Sequence, residues 1–238
     1  MRALLFLSVL ASLAACGRHG FSSPEADAAP SGSLIVHLQM DDDPADGAED
    51  SSEYQHHAGC SVCPSAILAR GAGAYRFEGT AMLEIPYDST LAPVPGVTAA
   101  AWVQVTTFAG TRCIISKPVG TGAANSWQLC LDSDLSVKGC FAYPDIPPNM
   151  GCLETGLLQA SVWHHVALTY DGDIGRVFID GVMSAQDQLP VAHDDAPILV
   201  GGDLDLGAPV AQFSGFVDDV RVYNVALSSE EIAMLATP

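Results

Sequence analysis

Basic side chains are scarce in this 238-residue chain: nine Lys and Arg stand against 28 Asp and Glu, for a formal net charge of −19. A nucleic-acid backbone calls for clustered Lys and Arg, so that class of partner is excluded. Long apolar runs are lacking as well. The first stretch, Ala3 to Leu13, is closed off by Arg18 and His19 before it reaches the roughly 20 residues that a spanning helix needs. Two hydrolytic signatures are also missing, the Gly-x-Ser-x-Gly elbow and the His-Glu-x-x-His helix. The acidic balance that remains favours solubility, and clustered carboxylates are also what hard divalent cations bind.

What is present begins with Met1-Arg2, the apolar stretch and the small residues Ala14-Ala15, the layout of a secretory signal peptide over residues 1–15. Leu13-Ala14-Ala15-Cys16 resembles the bacterial lipobox. That resemblance implies an acylated Cys16 as the new N-terminus, contact with membrane through the lipid alone, and a place in the bacterial cell envelope, at the outer membrane or cell surface. Residues 16–32 combine this cysteine with a stretch rich in Ser, Ala, Pro and Gly that has no hydrophobic period, which reads as a flexible tether. Residues 33–238 are left as one domain, of a size at which a single all-β core is normal.

With Cys16 assigned to lipid, six cysteines remain: Cys60, Cys63, Cys113, Cys130, Cys140 and Cys152. An even set in an exported chain reads as a disulfide framework, although spacing alone does not resolve its connectivity. We favour Cys140 with Cys152, Cys113 with Cys130 on neighbouring strands, and Cys60 with Cys63 by elimination. Cys60-Ser61-Val62-Cys63 also has the spacing of redox and zinc motifs, but no second pair follows at zinc spacing.

Short runs of Val, Ile, Leu and aromatics recur between turn signals, at Leu34–Met40, Ala81–Ile85, Val97–Thr106, Cys113–Lys117, Trp127–Leu131, His164–Tyr170, Arg176–Ile179 and Val217–Tyr223. Asp180-Gly181 supplies the positive φ angles of a type I′ hairpin turn. Only Ser228–Leu235 reads as helix, with Ser228 as N-cap, Glu231 at the capping-box position and Ile232 and Leu235 as apolar anchors. The expected fold is therefore all-β, a two-sheet antiparallel sandwich or jelly roll with a short C-terminal helical turn.

Ordered blocks across the domain resemble the laminin-G-like, concanavalin A-like jelly roll. They are Ala74-Tyr-Arg-Phe-Glu-Gly79 with Leu83-Glu-Ile-Pro86, Val97-Thr-Ala-Ala-Ala-Trp-Val103, Trp163-His-His-Val-Ala-Leu-Thr-Tyr-Asp171 with Val177-Phe-Ile-Asp-Gly181, and Phe216-Val-Asp-Asp-Val-Arg-Val-Tyr-Asn224. Related sandwiches include glucanases, whose retaining members carry Glu-x-Asp-x-Glu to set two carboxylates beside the scissile bond. This chain has no such pattern; its acids at Asp41-Asp42-Asp43, Asp194-Asp195 and Asp218-Asp219 are neighbours or sit in turns. No enzyme is expected. The expected function is a non-catalytic surface module, lectin-like or adhesive, for a glycan or a cell-surface protein. The alternatives are a structural envelope protein without small ligand and a concanavalin-like glycoside hydrolase.

The resemblance further implies Ca²⁺ between Asp218 and the acidic end of the first strand, Asp41 or Asp42. Strand alternation agrees in placing Asp218 on the apolar face of Val220 and Val222, opposite Asp219 and Arg221, where a carboxylate is costly unless paired or metal-bound. The loop at Glu53-Tyr54-Gln55-His56 departs from the Gly and Asn that the family favours. A simple pairing of Asp218 within the protein is the alternative. The proline-rich stretch Cys140–Cys152 would present Tyr143 and Asp145 to a sugar or peptide if its cysteines pair, or form no more than a stapled excursion. Trp102 and Trp163 read as core residues. His164 and His165, adjacent on a strand, point to opposite faces and cannot both ligate one metal.

Overall fold

The computed structural model describes residues 33–92, 96–106, 109–119, 124–143 and 150–237. In chain order its strands are β1 (Leu34–Leu38), β2 (Ser65–Ala69), β3 (Ala72–Phe77), β4 (Leu83–Ile85), β5 (Val97–Val105), β6 (Arg112–Pro118), β7 (Asn125–Leu131) and β8 (Ser136–Ala142). There follow β9 (Met150–Leu157), β10 (Trp163–Tyr170), β11 (Ile174–Ile179), β12 (Val182–Gln188), β13 (Ile198–Val200), β14 (Asp203–Asp205), β15 (Ala208–Val210) and β16 (Gly215–Tyr223), and last the helix α1 (Ser229–Leu235).

Two antiparallel sheets form a sandwich with one helix near the C-terminus, the architecture expected from the strand pattern. One sheet has eight strands in the order β12-β11-β10-β5-β16-β3-β2, with β1 also paired to β16. The other has six, in the order β4-β13-β6-β7-β8-β9. Alternate residues of both point into one core, among them Ala99, Ala101, Val103, Val166, Leu168, Val217 and Val220 from the first sheet and Ile115, Trp127, Leu129 and Phe141 from the second. Gly139 lets the layers close up, since a Cβ there would lie 2.4 Å from Val177 and 2.6 Å from Leu168.

Three disulfides join Cys60 to Cys63, Cys113 to Cys130 and Cys140 to Cys152. The second and third link directly opposed residues of β6–β7 and β8–β9. The stretch from Cys140 to Cys152 is therefore not all loop: Cys140 lies within β8 and Cys152 within β9.

A smaller apolar cluster lies on the outer face of the eight-stranded sheet. There Ile232 and Leu235 of α1 pack on Ala100, Ala167, Phe178, Tyr223 and Leu227. Burying two such side chains contributes on the order of 2 kcal/mol each, which docks a helix too short to persist alone. The helix covers one half of this outer face. The other half carries the candidate site.

Candidate functional site

Strand register lays one row of side chains across the uncovered half. Trp163 of β10 lies opposite Gln104 of β5, Gln104 opposite Phe216 of β16, and Phe216 opposite Arg76 of β3. Trp163 and Phe216 are half-buried, and their rings stand 6.4 Å apart between centroids. Gln104 donates from its amide to the Ser161 carbonyl, and Arg76 pairs with Glu78 at the surface. The next row on the same face holds His165, Trp102 and Asp218, also directly opposed. Trp102 is only 6% exposed, yet neither it nor Trp163 belongs to the core between the sheets, which corrects the expectation that both are core residues. Ala101 and Val103 on either side of Trp102, and Val103 and Val105 on either side of Gln104, which Trp163 opposes, face inward, so the tryptophans face out.

Arg70 covers Trp102. It sits with Gly71 in the turn between β2 and β3, with φ of 47° and 92°, the positive pair of a type I′ hairpin. From there its guanidinium carbon lies 3.7 Å from the Trp102 ring centroid and 5.8 Å from that of Trp163. Its Nη1 donates to Asp218 Oδ2 at 3.0 Å, and the two side chains are 15% and 10% exposed.

The alternation drawn from sequence for Asp218 does not hold. Asp218 is opposite Trp102 and Arg221 opposite Ala100, so Asp219 and Val220 together face the single residue Ala101. Asp219 takes φ of 51°, and this bulge reverses the faces: Val220 and Val222 point into the core while Asp218 points out. The bulge falls where the far edge of β16 passes from β3, paired at Gly215–Val217, to β1, paired at Val220–Tyr223. Burial pushes the Asp218 carboxyl up to about 6, against the pull of Arg70. Burial acts on Asp219 too, but hydrogen bonding from His37 and the charge of Arg221 hold it below the usual carboxylate range. Its Oδ1 lies 2.8 Å from His37 Nε2 and 2.9 Å from Arg221 Nε. Such a split pair is what acid–base chemistry uses, but here Asp218 is 7% exposed and its Oδ2 is engaged by Arg70.

A family model described as the concanavalin A-like lectin/glucanases superfamily matches residues 77–233. The chain belongs to this superfamily. Among solved structures, the binding domain of Paraclostridial Mosquitocidal Protein 1 is similar with a TM-score of 0.66 at 15% identity, over 86% of this chain and 52% of that one. Domain 4 of AbnA, a GH43 extracellular arabinanase from Geobacillus stearothermophilus in complex with arabinotriose, gives 0.64 at 15% identity, over 87% of this chain and 99% of that one. Trypanosoma rangeli sialidase in complex with the inhibitor DANA gives 0.64 at 21% identity, over 87% and 33%. The chain thus spans about half the length of the mosquitocidal domain and a third of the sialidase. No curated protein matches the sequence. At these identities the structural likeness speaks for the fold.

A calcium ion between Asp218 and Asp41 or Asp42, which the superfamily resemblance implies, does not fit these residues. Each of the three acids already accepts from the β2–β3 hairpin: Asp218 from Arg70, Asp41 from the Gly73 amide at 2.7 Å, and Asp42 from the Tyr75 hydroxyl. Asp42 also accepts from the Glu49 amide at 3.1 Å. The loop at Glu53-Tyr54-Gln55-His56 is organised around Asp50, which did not stand out among the acids of the sequence. Asp50 accepts from the amides of His37, Ser52 and His56 and from the Ser52 hydroxyl, at 2.7–2.8 Å. These bonds hold its carboxyl below the usual range although burial works the other way. The local signal was Asp50-Ser51-Ser52, a stretch suited to side-chain-to-backbone turns. Among the described residues no group of three or more His, Cys, Asp or Glu is placed to hold a metal ion.

The remaining candidates lie elsewhere. Tyr143 follows β8 on the six-stranded sheet and is half-buried, its hydroxyl close over Gly151 of β9. It is not brought together with the acids of the other sheet. Asp145 and Cys16 lie outside the described residues. His164 and His165 do part to opposite faces: the Gln159 amide donates to His164 Nε2, so His164 Nδ1 carries the proton toward Asp180, while His165 packs edge-on to Trp102.

Proposed function

We propose that this protein is a non-catalytic, lectin-like binding module, tethered to the bacterial envelope through an acylated Cys16, that takes its glycan or surface-protein ligand on the outer face of the eight-stranded sheet. The observation that carries this reading is the row Trp163, Gln104, Phe216 and Arg76, in which two half-exposed rings 6.4 Å apart alternate with an amide and a guanidinium. Rings of this kind stack on the apolar faces of sugars, while the interleaved polar groups suit hydroxyls. Sheet-borne side chains lose little freedom on binding. A binding domain and an arabinotriose-bound domain among the similar structures support a binding role.

A glycan array on the purified protein tests it. Selective signals are expected, each weakened at least about tenfold, near 1.4 kcal/mol, by Trp163→Ala or Phe216→Ala with the melting temperature unchanged. Silence across glycans and envelope proteins would leave a structural role, and release of reducing sugar from polysaccharide would reinstate a glycosidase.

A further inference from the structure

We propose that Arg70 is a built-in cation of this fold: its guanidinium holds the place between Asp218 and the acidic stretch Asp41-Asp42 after β1 that a metal ion would need, and so fastens the β2–β3 hairpin without calcium. Four observations lead there. First, Asp41, Asp218 and Asp219 converge on one cavity of about 190 Å³, also lined by Arg70 and Arg221. A chain with only nine basic residues thus spends two of them at this spot. A carboxylate as buried as Asp218 is tolerated when a partner neutralises it, and removing that partner is what costs most.

Second, the cation is held on a second side. Its flat guanidinium lies over the Trp102 ring, a contact that suits arginine and that a metal ion surrounded by oxygens would not make. Third, the turn is built in an unusual way. Its first central residue has positive φ, where Asn, Asp and Gly are favoured, yet Arg stands there. The side chain's partners supply the reason for keeping it.

Fourth, the hairpin needs a fastening. The sheet order ends at β2, and β3 is paired with β16 only at Gly215–Val217. Its turn end is tied down by three donors, Arg70 and the Gly73 amide beyond that pairing and the Tyr75 hydroxyl at its last pair, one to each of Asp218, Asp41 and Asp42. The acids that would have ligated a metal form a latch on the hairpin, and Arg70 supplies its charge.

Thermal melting of the whole protein, with hydrogen exchange, separates the possibilities. Wild type should melt at the same temperature in millimolar Ca²⁺ and in chelator. Arg70→Gln should melt roughly 10 °C lower, with faster amide exchange confined to residues 65–77. Adding Asp218→Asn to Arg70→Gln removes the stranded charge and should restore most of the loss; if the single variant does not fold, this double variant still should. A wild type that is stabilised by Ca²⁺ overturns the proposal in favour of a metal. So does an Arg70→Gln protein as stable as wild type, or a double variant no better than the single one.

Discussion

His165 shows what one buried side chain on this face does to the pH response. It is 2% exposed, lies 5.5 Å from Trp102 between ring centroids, and among the described residues has no hydrogen-bond partner for Nδ1. Burial pushes it down from 6.5 to about 4, with Asp219 and Asp180 pulling upward and Arg221 and Arg70 downward. Between those two values the unfolded chain binds the extra proton, so stability present above pH 6.5 is lost as the pH falls toward 4, by at most roughly 3 kcal/mol. Asp218 runs the other way. Raised to about 6 from 3.8, it takes up a proton in the folded state first, and stability rises as the pH falls through that window. The two offset each other in the wild type. Asp218→Asn should therefore lose melting temperature more steeply than wild type between pH 6.5 and 4.5, and His165→Gln less steeply. Parallel curves for all three proteins would show that neither group titrates as assigned.

At the scale of elements, local chemistry could be read in the sequence and pairing could not. The cap of α1 is local: Ser228 Oγ accepts from the Glu231 amide at 3.2 Å and Glu231 Oε2 from the Ser228 amide at 2.7 Å, the capping box that Ser228 and Glu231 announce. Ser228→Ala should cost about 1 kcal/mol, or some 2–4 °C in melting temperature. Ile232→Ala should cost more, about 2–5 kcal/mol, because it opens a cavity against Phe178 and Tyr223. Equal effects would mean that the cap, and not the buried face, holds this helix. Asp180-Gly181 was legible for the same reason, and it takes φ of 50° and 78°. The bulge in β16 was not. An extra residue in a strand is defined only against its partner, so Val217-Asp-Asp-Val-Arg-Val222 reads as plain alternation until β5 is beside it. Asp219 was the one hint, since Asp tolerates positive φ better than most residues. The same blindness applies to Trp102, where an aromatic strand residue announces burial but not which side of the sheet buries it. β8 and β9 were hidden by the prolines between their cysteines, which made one long loop of two strand ends.

For the whole molecule, strand direction relates the proposed tether to the proposed binding row. The described domain begins at Ser33, and Leu34 of β1 is paired with Tyr223, the last residue of β16. Phe216 lies near the first residue of the same strand. Seven residues of strand at about 3.3 Å each put the row roughly 20 Å from the point where the tether enters. A protein anchored at Cys16 would thus present Trp163 and Phe216 at the end away from the lipid. Residues 17–32, which read from the sequence as a flexible tether, lie outside the described residues. Two or more acyl chains would keep it on the membrane, where a single chain barely does. Lipid and ligand are then independent devices, and one substitution should separate them. Cys16→Ser should move the protein from the detergent phase of a partition experiment to the aqueous phase, or leave it unprocessed, while the purified variant keeps its glycan signals and its melting temperature. An intact mass with an unmodified Cys16 thiol in the wild type would end the anchoring proposal and leave the binding row standing. Loss of binding in the soluble variant would instead mean that the ligand is engaged through the membrane-proximal end, and that Trp163 and Phe216 have been given the wrong role.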